Sequence, residues 1–141
     1  MAIVNRIRRL FQADVHAILD AVEEPEAVLK QAIREMQESL DLKQGGLARS
    51  ERTLEALRLQ EADLHDELET ARGNLKLSLH SGSEELVRKS IARKLAVEKH
   101  KKVLQRRIEE LGNNCSNLAG EIEAQQSQLE SILQRAKTLT P

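Results

Sequence analysis

The sequence predicts an all-α protein: a long antiparallel coiled-coil helical hairpin preceded by a short N-terminal amphipathic helix. Three observations lead to this fold class: the composition, two apolar stripes with a seven-residue period, and one glycine-containing break between the stripes. Charged residues make up 32% of the 141 residues and aromatic residues 1%, with 6 Gly and 2 Pro in the chain. This composition is typical of long helices, because a compact core usually contains more aromatic side chains.

The first predicted helix follows Pro25, which suits the first turn of a helix because its missing N–H would be unpaired there anyway. With Ile33 at position a of a heptad, six of the seven a positions up to Leu75 are apolar. A second stripe begins at Val97 and again has six apolar residues at seven a positions. Such narrow stripes are typical of coiled coils. The predicted hairpin core is Ile33, Met36, Leu40, Leu47, Leu54, Leu57, Leu64, Leu68, Leu75, Val97, Leu104, Ile108, Leu111, Cys115, Leu118, Ile122, Leu129 and Ile132.

The stretch HSGSEEL, residues 80–86, separates the two stripes. Gly82 suits the left-handed conformation that ends a helix, and Ser81 or Ser83 suits the cap of the next one. We therefore expect a hairpin domain over 25–141, with helix 26–79, turn 80–85 and helix 86–139. Folding at this turn places Gly45 and Gly46 opposite Gly120. Either the helices bend or pack closely there, or the glycines are tolerated at about 1 kcal/mol each.

The opening segment, MAIVNRIRRLFQADVHAILDAV, reads as a separate helix over residues 1–22. Its apolar residues share one face and arginines flank that face, as in helices that lie in a membrane interface. Asp14 lies within the apolar arc and weakens this interpretation. The alternative is a helix that packs on the hairpin or on a neighbouring subunit. The predicted membrane-binding residues are Ile3, Val4, Arg6, Ile7, Arg8, Arg9, Leu10, Phe11, Val15, Ile18 and Leu19.

Several function classes are not expected. The formal net charge is −1, from 22 basic and 23 acidic residues, so we expect no general electrostatic binding of nucleic acid. The sequence contains neither a phosphate-cradling glycine loop nor a GxSxG motif, so we predict no enzyme and no cofactor. His65 and His100 approach each other across the predicted hairpin, but solvated positions are a better interpretation than a metal site. Cys115 at a d position reads as a small buried residue.

The stretch DAVEEPEAVLKQAIREMQESL, residues 20–40, together with the basic N-terminal helix, resembles the phage shock protein A family. That family includes the vesicle-inducing protein of plastids and is related to the ESCRT-III proteins. The matching residues are Ile3, Arg6, Ala17, Leu19, Asp20, Glu23, Pro25, Glu26, Ile33, Glu35, Met36 and Leu40. Members usually continue into further helices that join neighbouring subunits, whereas this chain ends at Pro141. We expect either a trimmed chain or a naturally short member.

The resemblance implies a peripheral, self-assembling envelope-stress protein that protects or remodels the inner membrane. It further implies binding of anionic phospholipid through the N-terminal helix, formation of homo-oligomers, and a location on the cytoplasmic face of the cell membrane. The alternative that it implies is a regulatory hairpin, which binds and inhibits an AAA+ transcription activator of the stress operon.

Overall fold

The computed structural model describes residues 25–139, which form two helices. Helix α1 spans Pro25–Ser81 and helix α2 spans Glu84–Leu139, with 57 and 56 residues. Within this range only Gly82 and Ser83 are not helical. The two helices pack against each other, so the predicted all-α hairpin is confirmed. The predicted N-terminal helix over residues 1–22 lies outside the described residues.

The turn between the helices is shorter than the six residues expected from the sequence. Gly82 has a φ of 70°, a left-handed conformation that a residue without Cβ adopts without steric cost. Ser81 ends α1 by donating its hydroxyl to the carbonyl of Ser78 (2.6 Å), and its Oγ accepts from the backbone N–H of Ser83 (3.2 Å). The Oγ of Ser83 in turn accepts from the N–H of Leu86 (3.4 Å), which caps α2. One glycine and two serines thus complete the reversal.

Contacts divide the chain into two units, each containing parts of both helices. In the first, residues 25–48 of α1 pack against residues 116–139 of α2. Met36 lies at its centre and is completely buried. The remaining buried core residues are Leu29, Leu40, Ile122, Leu129 and Ile132, with Ile33, Leu47, Leu118, Leu133 and Ala136 packed partly buried against them.

The second unit contains residues 49–115. Its buried core cluster consists of Leu57, Leu64, Leu68, Val97 and Leu104, with Ile108 and Leu111 packed partly buried against it. Leu54, Ala71 and Cys115 are buried as well. Ser78 is the buried polar residue of this unit, and its hydroxyl donates to the carbonyl of Leu75 at 2.8 Å. Its burial therefore leaves no unpaired hydroxyl hydrogen.

The predicted core residues occupy two burial classes. Twelve are buried: Met36, Leu40, Leu54, Leu57, Leu64, Leu68, Val97, Leu104, Cys115, Ile122, Leu129 and Ile132. The other six are half-buried: Ile33, Leu47, Leu75, Ile108, Leu111 and Leu118. Leu29, Ala32, Ala71 and Ser78 are buried but were not predicted, because the apolar a series guided the prediction and three of these four side chains are small.

Gly73, Gly112 and Gly120 do not mark a close approach of the helices. A Cβ built on Gly73, Gly112 or Gly120 would meet no heavy atom within 4 Å. The close-packing interpretation of Gly120 is therefore wrong, because that interpretation needs a neighbour where the side chain would stand. Glycine at such a position lowers helix stability by leaving the unfolded chain more conformational freedom.

We expect Gly112→Ala and Gly120→Ala each to raise the free energy of unfolding by about 0.5–1 kcal/mol, because alanine fits the open space and favours the helix. Urea titration followed by far-UV circular dichroism, at one protein concentration, measures this. Gly82→Ala is the control and should lower the free energy of unfolding, because a φ of 70° costs an L-residue about 1 kcal/mol. Lower stability in Gly120→Ala would contradict the open environment described for this residue.

We expect Met36→Ala to lower the free energy of unfolding by about 2–5 kcal/mol, because it leaves a cavity in the most buried part of the first unit. Met36→Leu keeps the volume and should cost less than about 1.5 kcal/mol. The same urea titration compares the two variants. Equal losses in both would show that the site does not depend on packing volume.

Candidate functional site

The eleven predicted membrane-binding residues, from Ile3 to Leu19, all lie outside the described residues. What the structure offers for function is thus the outer surface of the hairpin, since its inner faces are used for packing. In residues 25–139, neither helix contains a stretch apolar enough to cross a bilayer. The charged and polar side chains on the outer surface of each unit are the groups that a partner would meet.

Charge is strongly segregated between the two helices of the second unit. Residues 61–69 of α1 contain five carboxylates and no Lys or Arg. Residues 86–107 of α2 contain nine Lys or Arg and a single carboxylate, Glu98. The total net charge of −1 conceals this division, because charges of −5 in the first segment and +8 in the second offset each other and the rest of the chain in the sum. A count along the chain by segment, rather than over the whole chain, would have found it.

An open groove of about 410 Å³ lies on the acidic side of this unit. Asp63, Asp66 and Glu67 of α1 line it together with Arg93 of α2. The Arg93 guanidinium lies 3.5 Å from the Glu67 carboxylate, so one cation faces three acids. No group of three or more His, Cys, Asp and Glu residues within 25–139 has an arrangement that suits a metal ion. The groove is therefore an acidic surface with one cross-helix ion pair.

A second cross-helix contact joins Lys101 to His65. The Lys101 ammonium lies 3.2 Å from His65 Nδ1. An ammonium can only donate, so Nδ1 accepts and the proton of the neutral ring lies on Nε2. The sequence analysis paired His65 with His100, but His100 is exposed and Lys101 makes the contact. Lys101 lies seven residues before Ile108, which packs against the core, and so shares its side of α2, whereas His100 lies one residue and about 100° away.

In the first unit a polar cluster interrupts the apolar seam. The Lys43 ammonium lies 2.7 Å from the Glu121 carboxylate, and the Gln125 amide donates to the same carboxylate oxygen at 3.5 Å. Lys43 and Gln125 occupy a d and an a position, which are usually apolar. Gln125 Oε1 is buried without a hydrogen-bond partner. Polar residues in a coiled-coil seam lower stability but favour one register, since a shifted register would bury the charges unpaired.

The remaining ion pairs lie along single helices, and all are exposed except the half-buried pair of Lys94 with Glu98. Five pairs join residues one turn apart: Lys30 with Glu26, Arg72 with Glu69, Arg88 with Glu84, Lys89 with Glu85, and Lys94 with Glu98. Each contributes about 0.3–0.5 kcal/mol, so these pairs support helicity rather than a site. Cys115, the free thiol of the described part, is buried in the second unit and packs as a small side chain.

The chain is similar in sequence to two curated proteins. The chain is 28% identical over 138 residues to the membrane-associated protein Vipp1 of Nostoc punctiforme, with 98% of this chain and 52% of the relative covered. It is 28% identical over 141 residues to the membrane-associated protein Vipp1 of Synechocystis sp., with coverage of 98% and 50%. The chain thus spans about half the length of the curated relatives that it matches.

The model of one protein family matches residues 2–140, which include both helices and the segment before them. A match of this extent assigns the whole chain rather than a single motif. The chain therefore belongs to the PspA/IM30 family.

Proposed function

We propose that the chain is a peripheral, non-enzymatic membrane protein that self-assembles and protects or remodels the inner membrane under envelope stress. The observation that carries this proposal is the family match over residues 2–140, which covers the basic N-terminal segment as well as the hairpin. The two relatives are named as membrane-associated proteins, which supports the same role. This chain covers about half of each relative, so the proposal does not extend to activities of the relatives' remaining residues.

Contact with the bilayer is assigned to residues 1–22. A helix of this sequence has an apolar face and places Arg6, Arg8 and Arg9 beside it. The apolar face enters the boundary between headgroups and acyl chains, and the arginines attract anionic phospholipid. Each cation near such a surface contributes about 1 kcal/mol of attraction. The cytoplasmic leaflet carries the anionic lipids, which favours the inner face of the cell membrane as the location.

Self-assembly is assigned to the outer surface of the hairpin. Leu42 and Leu59 of α1 expose 76% and 66% of their surface, although both are large apolar residues. Isolated exposed leucines are common, but leucines on a helix that already packs through another face favour contacts with a further copy. Homo-oligomer formation would bury them without disturbing the hairpin core.

We expect Arg6→Glu, Arg8→Glu and Arg9→Glu together to weaken binding of the full chain to anionic vesicles by about two orders of magnitude, because three attractive charges become repulsive. Co-sedimentation with vesicles of equal parts phosphatidylglycerol and phosphatidylcholine measures this.

The matched control variant carries Arg49→Glu, Arg58→Glu and Lys76→Glu, which reverse three exposed cations of α1. It has the same net charge as the N-terminal variant and should bind nearly as the unchanged chain does. Unchanged binding of the N-terminal variant would contradict the assignment to residues 1–22. Absence of vesicle binding by all three proteins, with an oligomer that does not respond to salt, would instead indicate a structural coiled coil without lipid affinity.

A regulatory role is the second candidate function, and one feature of the second unit favours it. Leu77 and Leu79 at the end of α1 and Leu86 at the start of α2 expose 71%, 59% and 50% of their surface. Three large apolar residues beside one turn suit contact with a protein. The proposed partner is an AAA+ transcription activator, which the hairpin binds and inhibits.

If this second role holds, Leu77→Gln, Leu79→Gln and Leu86→Gln together should abolish inhibition of the purified activator's ATPase, because they remove the apolar contact. Glutamine favours helices, so the hairpin should remain folded. The N-terminal triple Arg→Glu variant is the control and should inhibit as the unchanged chain does. Full inhibition by the leucine variant would exclude the turn as the contact.

A further inference from the structure

One face of α2 in the second unit combines unpaired cations with exposed aliphatic side chains. We call it the basic strip and define it as Ile91, Leu95, Lys99, Lys102, Val103 and Arg106. At about 100° per residue these six lie within an arc of about 120°. The arc is centred opposite Val97 and Leu104, which are buried against α1. The strip therefore faces away from the other helix of its unit.

The aliphatic members of the strip are exposed. Leu95, Val103 and Ile91 expose 57%, 56% and 42% of their surface. Ile91 and Leu95 precede the cations on this face, and Val103 lies between Lys102 and Arg106. An exposed helix face that combines aliphatic and cationic residues is typical of helices that rest in a membrane interface.

The cations of the strip are also free of internal partners. Lys99, Lys102 and Arg106 are exposed, and no carboxylate of residues 26–138 lies within 4 Å of them. Other cations of this segment have partners: Lys89 with Glu85, Arg93 with Glu67, Lys94 with Glu98, and Lys101 with His65. Arg107 is the further cation of residues 86–107 without such a partner, so three of the four unpaired cations of this segment lie on the strip.

The acidic segment of α1 does not cancel this charge for a partner that contacts the strip. Packed helix axes lie about 8–10 Å apart, so the α1 carboxylates stand behind α2 by at least that distance. At physiological salt the Debye length is about 8 Å, which screens them from a surface in front of α2. Glu98, the one acid of the segment, lies at the edge of the arc and contacts Lys94 at 3.7 Å.

We propose that the basic strip is a second lipid-facing surface, which rests the second unit on a layer of anionic phospholipid headgroups. The inference rests on the proposed membrane function but on residues far along the chain from the N-terminal helix. Aliphatic side chains between the cations gain free energy on entering the headgroup boundary. They would gain little from phosphates of nucleic acid, and residues 25–139 contain no Phe, Tyr or Trp ring on which a base would stack.

The test is vesicle binding by the full chain carrying Lys99→Glu, Lys102→Glu and Arg106→Glu. Vesicles of equal parts phosphatidylglycerol and phosphatidylcholine are the probe. We expect binding to weaken by at least about tenfold. The Arg49→Glu, Arg58→Glu, Lys76→Glu variant is the matched control. Both variants move the formal net charge from −1 to −7, three reversals of two charges each, so any difference between them reports position.

A second variant tests the aliphatic contribution and distinguishes lipid from nucleic acid. Leu95→Gln with Val103→Gln keeps every charge and a good helix former at position 95. We expect it to weaken vesicle binding at high as well as low salt, because apolar burial is not screened. Duplex DNA bound more tightly than the vesicles, with binding lost in the strip charge variant, would overturn the lipid assignment.

The outcomes separate this inference from the N-terminal proposal. If the strip charge variant binds as the matched control does while the N-terminal variant loses binding, the strip is refuted and the proposed function stands. If the N-terminal variant instead binds as the unchanged chain does while the strip charge variant loses binding, the strip is supported and the N-terminal assignment is refuted.

A second copy of the chain is the remaining alternative to lipid as the partner that covers the basic strip. Light scattering without vesicles compares the oligomers of the strip charge variant and the unchanged chain. The lipid proposal predicts equal oligomers. A smaller oligomer, restored by mixing with a Asp63→Lys, Asp66→Lys, Glu69→Lys variant, would overturn it, because charges of opposite sign would then pair between copies.

Discussion

The mutual burial of two narrow apolar stripes is the constraint on which the rest of this structure depends. Each stripe occupies little more than one face of its helix, and a helix of 57 residues with such a face has no other way to bury it. Met36 shows the result, because its side chain has no access to solvent although the described chain has only two helices. The remaining faces carry mostly charged and polar residues, with exposed aliphatic side chains such as Leu42 and Leu59 among them.

Residues outside the packed a and d positions can vary in charge without loss of pairing, which explains how charge is segregated without disturbing the fold. The a and d positions decide pairing, whereas residues on the outer arc contribute little to it, so α1 and α2 are able to carry opposite charge over 61–69 and 86–107. The cross-helix contacts of Arg93 with Glu67 and of Lys101 with His65 use only a few of these residues. The outer surfaces thus remain available to partners.

Periodicity was enough to predict the helical hairpin and the place of its reversal, because a seven-residue stripe and a glycine at the break have few alternative structures. Contacts that depend on how the two helices are rotated against each other could not be predicted from the sequence. The open space at Gly120 and the choice of Lys101 over His100 as the partner of His65 follow from rotation angles in the packed state. For residues 1–22 the pattern alone leaves membrane contact and protein packing as alternatives.

The basic strip escaped the sequence analysis because its meaning depends on which face of α2 points outward. Nine cations in one segment would neutralise acids on α1 if all of them faced the seam. Burial of Val97 and Leu104 fixes the rotation of the helix, and that rotation turns Lys99, Lys102 and Arg106 away from the acids. Two weak lipid contacts on one chain act at high effective concentration, so each raises the occupancy of the other. A bilayer would then bind such a chain far more tightly than either surface alone would suggest, and salt would release it in proportion to the cations engaged.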